Sequence, residues 1–359
     1  MKTVRVALGK RSYSILIGRG AAAKAARLLG ERGRAFVVAD RRLKSQTGEL
    51  MRRLKSAGWE THLVRVEASE AFKDFGKIYP LYSELLRARA DRHTVLFALG
   101  GGVIGDAAGF LAGTFMRGIR WVGLPTTLLA QVDSSIGGKT GVNHDSGKNL
   151  IGIFHQPTLV ACDLDFLKTL PERERVSGLG EMIKYGLIYD APFYAWLEKN
   201  WEGVVRGEAG ALENAVARCA SLKARAVGRD ERDESGVREV LNFGHTVGHA
   251  LEGATKYRTF RHGEAIILGM RAAVRLSVLR GHLKPAIGAR VDSFLGSLPV
   301  PKVPSHVTPA KLLTYVRKDK KAKAGRVRFV LLRGIGKTVL DREVTDEQIL
   351  EVCGLVCLA

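Results

Sequence analysis

LGGGVIGD, Leu99 to Asp106, is the stretch that decides the fold of this chain. The apolar run Thr94 to Leu99 leading into it reads as a buried strand, and the pattern from Ala107 to Phe115 is helical. Glycines at such a turn, here Gly100, Gly101 and Gly102, let backbone approach a ligand closely. The N-terminus of the helix that follows favours an anion such as a pyrophosphate. Onward to Gly152 the chain adds Asp106, Arg117, Thr126, Thr127, Asp133, Lys139, Lys148 and Asn149, a dense set of partners for phosphates and hydroxyls.

Before the turn, strand and helix patterns alternate. Val4 to Leu8, Tyr13 to Ile17, Arg34 to Ala39 and Thr61 to Val66 read as strands, and Ala21 to Leu29, Leu43 to Ala57 and Ser69 to Arg89 as helices. This alternation predicts a parallel, helix-covered sheet. Asp40 closes one buried strand, a position where an acidic residue binds a ribose hydroxyl or caps the next helix. After Asp163 the strand signals nearly vanish. Pro171 to Glu174 reads as a helix start. Helices follow over Ser177 to Tyr189, Tyr194 to Val205, Ala209 to Gly228, Asn242 to Ala254, Gly263 to Arg280, Ala286 to Leu295 and Pro309 to Lys318. Val327 to Leu332 reads as a late strand, with a final helix after Thr345. The expected organisation is an α/β nucleotide-binding domain over residues 1–162 and a mostly helical domain over 163–359.

Composition supports two globular domains. The chain has 359 residues, 46% of them hydrophobic, enough for a large core. No apolar run reaches the roughly 18 to 20 residues that a membrane span requires. The first residues carry no secretory pattern, so the expected location is cytoplasmic. The four cysteines are scattered, and Cys353 and Cys357 read as helix packing. A net charge of +21 could attract nucleic acid, but the basic residues are spread out. The densest run, Arg317 to Lys323, has no nucleic-acid-binding signature beside it. The charge is read as mostly solvated, with a focused subset attracting an anionic substrate.

The helical half holds groups of metal-ligand character: Glu181 in GEMIK, His245 and His249 in NFGHTVGH, and His262 in RHGE. Histidines four apart share a helix face. One carboxylate, two imidazoles and an open position suit a catalytic divalent ion such as zinc. The glutamate that follows the first histidine of zinc proteases is absent, as is a serine-hydrolase elbow. Lys139, Lys148, Asn149, Lys184, Lys223 and Arg238 together suggest a pocket for a substrate with more than one anionic group.

The strings GGGVIGD, PTTLLAQVDSSIGGKTGVNH, GKNLIG, GEMIKYG, LNFGHTVGHALE and HGEAI strongly resemble the 3-dehydroquinate synthase family of the shikimate pathway, most clearly from Gly100 to Met270. The resemblance implies a Rossmann-like N-terminal domain, a helical metal-binding C-terminal domain, bound NAD and a Zn2+ or Co2+ ion held by Glu181, His245 and His262. It implies NAD on Gly101, Gly102, Val103 and Asp106, with Asp40, Glu70 and Lys73 toward the ribose and adenine. Thr126, Thr127, Asp133, Ser134, Lys139, Lys148 and Asn149 continue that site, and Phe166 and Thr169 close it. The implied substrate, 3-deoxy-D-arabino-heptulosonate 7-phosphate, falls to Lys139, Asn149, Lys184, Lys223, Arg238, Asn242 and His249. The resemblance assigns its phosphate to Lys320, or to Lys321 beside it. Arg117 matches an arginine that the family extends across a homodimer interface. The implied reaction is transient oxidation, loss of phosphate, reduction, ring opening and aldol closure, with no net redox.

Two departures stand out. Ala68-Ser69-Glu70 replaces the usual Asp-Gly-Glu, and His144-Asp145-Ser146-Gly147-Lys148 replaces His-Pro-Leu-Gly-Lys. The alternatives are a related cyclase acting on sedoheptulose 7-phosphate or glucose 6-phosphate, and an iron-type alcohol dehydrogenase. The first would differ where Arg238, Asn242 and His249 match. The second would need an aspartate and three histidines. A basic nucleic-acid-binding protein would leave the Glu181 and histidine set unexplained.

Overall fold

The computed structural model describes residues 1–29, 33–318 and 327–358. The chain opens with strands β1 (Lys2–Val6) and β2 (Tyr13–Gly18) and helix α1 (Ala21–Leu28). β3 (Arg34–Asp40), α2 (Lys44–Ser56), β4 (Glu60–Val66), α3 (Phe75–Arg87), β5 (Val95–Gly100), α4 (Gly102–Thr114) and β6 (Arg120–Pro125) follow in strict alternation. A hairpin, β7 (Lys139–His144) and β8 (Gly147–Phe154), precedes β9 (Leu159–Asp163). Seven strands form one sheet in the order β1-β2-β9-β6-β5-β3-β4. β1 is antiparallel to β2, and the other neighbours are parallel.

The central strands β3, β5, β6 and β9 are buried on both faces, so they read as apolar runs. Side chains alternate between faces. Val37, Ala39, Phe97 and Leu99 pack with Ala25, Leu50 and Leu54 of α1 and α2. Phe36, Val38, Leu96 and Ala98 pack with Ile78, Leu85, Ile104 and Leu111 of α3 and α4. From β3 the chain steps outward to β4. It then crosses back to β5 and steps the other way to β6. The winding thus reverses between β3 and β5, the position where such sheets open a ligand crevice beyond the strand ends. Asp40 ends β3 and Gly100 ends β5.

Helices α5 (Glu172–Tyr189), α6 (Ala191–Arg206) and α7 (Ala209–Arg229) come next. They are followed by α8 (His245–Ala254), α9 (His262–Leu279), α10 (Pro285–Ser297), α11 (Pro309–Arg317), a hairpin of β10 (Phe329–Gly334) and β11 (Lys337–Asp341), and α12 (Asp346–Cys357). Compact units do not follow a single cut at Cys162. One comprises Met1–Leu170 and Gly207–Arg232, the other Pro171–Arg206 and Asp233–Ala359. The expected boundary is corrected because α7 returns to pack against β1 and β2. The second unit has its own core, where Leu251, Leu268, Leu276, Leu312, Phe329, Leu331 and Val352 meet. Cys353 lies buried in that core on α12. Cys357, on the same helix, donates its thiol to the Val307 carbonyl at 3.4 Å.

One local expectation needs correction, and two features go beyond the expectations. The helix expected over Ser69 to Arg89 breaks at Asp74, whose carboxylate caps α3 by accepting from Gly76 N at 2.8 Å. The β7–β8 hairpin was not expected. The late strand is half of a hairpin, with β11 as its partner. Among the described residues, no helix is long and apolar enough to cross a membrane.

Candidate active-site residues and family assignment

In the first unit, the glycine turn is closely packed, so a side chain there would have to displace its neighbours. A Cβ on Gly101 would stand 3.0 Å from Thr127 Cγ2, and one on Gly102 would stand 2.8 Å from Ser134 Oγ. Gly101 supplies no side-chain cap to α4, so the first N–H groups of that helix remain available to an anion. Gly100, Gly101, Gly102, Asp106, Ser134 and Lys139 all line one cleft of this unit.

Around that cleft the expected polar residues meet in pairs. Lys73, almost wholly buried, donates to Asp106 Oδ2 at 2.6 Å and to Asn149 Oδ1. Burial pushes the Asp106 carboxyl above its ordinary range, and the Lys73 charge opposes this. Lys223 of α7 donates to Asp133 Oδ1 at 2.7 Å. Glu70 accepts from Asn143 Nδ2 at 2.8 Å and lies 3.7 Å from Lys148 Nζ. Asn149 holds a left-handed backbone, φ 54°, which asparagine tolerates better than most residues. Thr126 is buried, and Val103 lies in the first turn of α4.

Other expected residues sit differently. Phe166 belongs to the core beneath α1 and α2, and Thr169 is exposed at the end of a short 3-10 turn. Asp40 is engaged by Arg42, a contact that its position alone did not reveal. Lys320 and Lys321 lie outside the described residues.

In the second unit, three helices bring distant residues to one point. Glycine permits their approach. A Cβ on Gly263 would lie 1.7 Å from the Ser177 carbonyl oxygen, and one on Gly180 would lie 2.5 Å from the Gly263 oxygen. A Cβ on Gly269 would lie 2.0 Å from the Gly244 oxygen. Ser177 Oγ also accepts from Gly263 N at 3.0 Å, which ties α5 to the start of α9. His245 and His262 are the first residues of α8 and α9, and Glu181 lies in mid-α5.

The imidazoles share one arrangement. His245 Nε2 is 3.6 Å from Glu181 Oε1, and His262 Nε2 is 3.7 Å from the same oxygen. Their other nitrogens face acceptors: His245 Nδ1 the Phe243 carbonyl at 3.2 Å, and His262 Nδ1 the Glu252 carboxylate at 3.4 Å. Such contacts orient a ligating imidazole and select its tautomer. Burial alone would lower the His262 pKa, but hydrogen bonding to Glu181 and Glu252 pushes it up to about 10. Ligand atoms of Glu181, His245 and His262 all lie within 4.8 Å of one another, so this donor set fits a divalent cation. His249, Glu252 and His262 form a second, overlapping group by the same measure. Glu252 was not anticipated, although it follows His249 by three residues on the same helix face.

Lys184 sits against Glu181 in the interior of α5. Arg238 is also buried, just before the short 3-10 turn Glu239–Asn242 that carries Asn242. His249 is exposed, with its ring centroid 5.2 Å from that of His245.

The comparisons with known proteins agree with this geometry. The family model for the 3-dehydroquinate synthase N-terminal region matches residues 63–177, and that for the C-terminal region matches residues 178–322. The 3-dehydroquinate synthase of Pelobacter propionicus is 43% identical, with 99% of each chain covered. The solved 2-epi-5-epi-valiolone synthase of Streptomyces hygroscopicus, with NAD+ and Zn2+ bound, is 29% identical with a TM-score of 0.86, covering 96% of this chain and 97% of its own. A 2-deoxy-scyllo-inosose synthase complexed with carbaglucose-6-phosphate, NAD+ and Co2+ shares the fold at a TM-score of 0.89 and 24% identity, covering 99% of this chain and all of its own. With both halves matched by one family and a relative this similar along its full length, the chain belongs to the 3-dehydroquinate synthase family.

Proposed function

We infer that this chain is a lyase that converts 3-deoxy-D-arabino-heptulosonate 7-phosphate into 3-dehydroquinate and phosphate. The observation that carries the reading is the convergence of Glu181, His245 and His262 beside the buried Lys184. NAD, when bound, supplies reversible hydride acceptance, which makes a transient ketone at C5 and leaves no net redox. A divalent cation, Zn2+ or Co2+, when bound by Glu181, His245 and His262, polarises the substrate hydroxyls at C4 and C5.

This chain's own residues bind and orient. The bare N-terminus of α4, with Gly101, Gly102 and Val103, receives the pyrophosphate. Asp40, Glu70 and Lys73 serve the ribose and adenine side. Asp106, Thr126, Thr127, Asp133, Ser134, Lys139, Lys148 and Asn149 extend the nucleotide site, and Phe166 and Thr169 bound it. Arg238 reads the substrate carboxylate, for which its planar fork is suited. Lys139, Asn149, Lys184, Lys223 and Asn242 hold its hydroxyls and phosphate, and Lys320 is assigned to the phosphate. His249 and Lys184 move the proton released from the C5 hydroxyl. With C5 a ketone, the C6–H bond is acidified. It breaks as C6=C7 forms and the C7–O bond releases phosphate, whose own oxygen serves as the base.

We read the protein as a cytoplasmic homodimer. Leu150, Ile151, Ile153 and Phe154 of β8 are each between 37% and 44% exposed. Among the described residues, β8 pairs only with β7. An apolar edge of this kind favours a second copy. Arg117 is exposed, and both Met116 (φ 48°) and Arg117 (φ 66°) hold left-handed backbone.

The test is phosphate release from 3-deoxy-D-arabino-heptulosonate 7-phosphate by the purified protein with NAD and zinc, with sedoheptulose 7-phosphate run in parallel. Release from the first alone, abolished by a chelator, supports the reading. Release from the second alone would assign the chain to a different sugar phosphate.

A further inference from the structure

Asp40 ends β3 on one side of the position where the sheet winding reverses, and the glycine turn ends β5 on the other. Ala39 pairs with Leu99 in register, so Asp40 and Gly100 stand level, one strand apart. A dinucleotide whose pyrophosphate lies at the turn brings its adenosine ribose to this strand end. The carboxylate there is already committed. Asp40 Oδ1 accepts from Arg42 N at 3.0 Å and Nε at 3.1 Å, and Oδ2 accepts from Nε at 3.0 Å and Nη2 at 2.6 Å. Asp40 is 5% exposed, whereas the Arg42 side chain is 70% exposed.

This pairing alters what the ribose end can recognise. An uncompensated carboxylate selects a 2′-hydroxyl and repels a 2′-phosphate. Here the carboxylate charge is matched: the Nε–Nη2 edge of Arg42 holds Asp40, and Nη2 also donates to the Ala68 carbonyl at 3.3 Å, so the outward part of the strand end is a positively charged guanidinium, which favours a phosphate over a neutral hydroxyl. Arg65, exposed on β4 beside Ala39, adds positive charge. The nearby Glu67 is offset by Arg41 at 3.0 Å. We propose that Arg42 adapts the ribose end of this pocket to a 2′-phosphate, so that the chain binds NADP as well as NAD. The proposal rests on the NAD reading above.

Calorimetric titration of the purified protein with NAD and with NADP tests it without reference to turnover. The variants are Arg42→Ala and Arg42→Gln, the second keeping a neutral donor for Asp40, each checked for an unchanged melting profile. The wild-type dissociation constants should agree within about tenfold, and each variant should raise the NADP-to-NAD ratio by about tenfold or more, as loss of a charge-assisted contact does. A wild-type ratio beyond about tenfold, or variants that shift it by less, would overturn the proposal. Failure of NAD itself to bind would overturn the nucleotide reading beneath it.

Discussion

Lys184 lies one turn beyond Glu181 on α5, its ammonium against the Glu181 carboxylate, with the two side chains only 2% and 1% exposed. A buried pair of this kind is costly to break, because removing one partner strands the other charge, at about 3 to 5 kcal/mol. Variants at either position therefore need a folding control beside any assay.

Glu181→Gln keeps shape and removes the charge that a cation requires. Bound metal after dialysis should fall below stoichiometric, and phosphate release should fall by about a hundredfold or more. Elemental analysis, with circular dichroism as control, measures this. Near-normal turnover in a metal-free variant would sink the ligand assignment.

Glu252→Gln tests the residue behind His262. Its carboxylate faces His262 Nδ1 at 3.4 Å. Losing it should weaken metal affinity by about 10- to 100-fold while the fold is kept. Competition with a chelating dye reads the change, and unaltered affinity would show that Glu252 does not orient the imidazole.

Gly263→Ala tests the close helix approach. Its Cβ would fall 1.7 Å from a backbone oxygen, so α5 and α9 must separate. The expected cost is about 3 kcal/mol. Gly48→Ala on α2 is the control, because its Cβ would meet nothing within 4 Å. That change should be neutral or stabilising by up to about 1 kcal/mol. Equal denaturation midpoints for the two variants would refute the packing argument.

Arg117→Ala should impair turnover without unfolding the protein. Mixed with Lys184→Ala protein, it should regain part of the activity if Arg117 serves the partner subunit's site. No regain after subunit exchange would argue against that role.

Asp341 sets a pH dependence. Burial would raise its pKa, but the Glu343 backbone N–H, His282 and Arg280 hold the carboxyl below its ordinary range. A depressed carboxyl contributes stability above its unfolded pKa, about 3.9, and loses that contribution as pH falls through the folded value. Asp341→Asn should cost about 1 to 2 kcal/mol at neutral pH and flatten the acid limb of the stability profile. Urea melts between neutral pH and the acid transition measure this, and a parallel loss at every pH would contradict it.

Much of the first unit was legible because its signals are local. A strand buried on both faces is a short apolar run, as in β3 and β5, and the turn after β5 is written in three consecutive glycines. The β7–β8 hairpin was hidden because its first strand, KTGVNH, lacks a clear alternation and the apolar residues of its second face outward. The helix break at Asp74 turned on a cap that competes with helix continuation only in the folded backbone. A single boundary near Cys162 was misleading because α7, helical like its neighbours in sequence, packs on the first unit.

The site divides in the same way. Residue types, motif strings and the i,i+4 histidines belong to the sequence and determined the strand-helix alternation, the anion-binding turn and the family. Which histidine nitrogens face Glu181, that Glu252 stands behind His262, and that Arg42 covers Asp40 were decided only by tertiary structure. The reason is physical: periodicity and turn chemistry act over a few residues, whereas the convergence of α5, α8 and α9 depends on backbones touching at Gly180, Gly263 and Gly269, far apart along the chain.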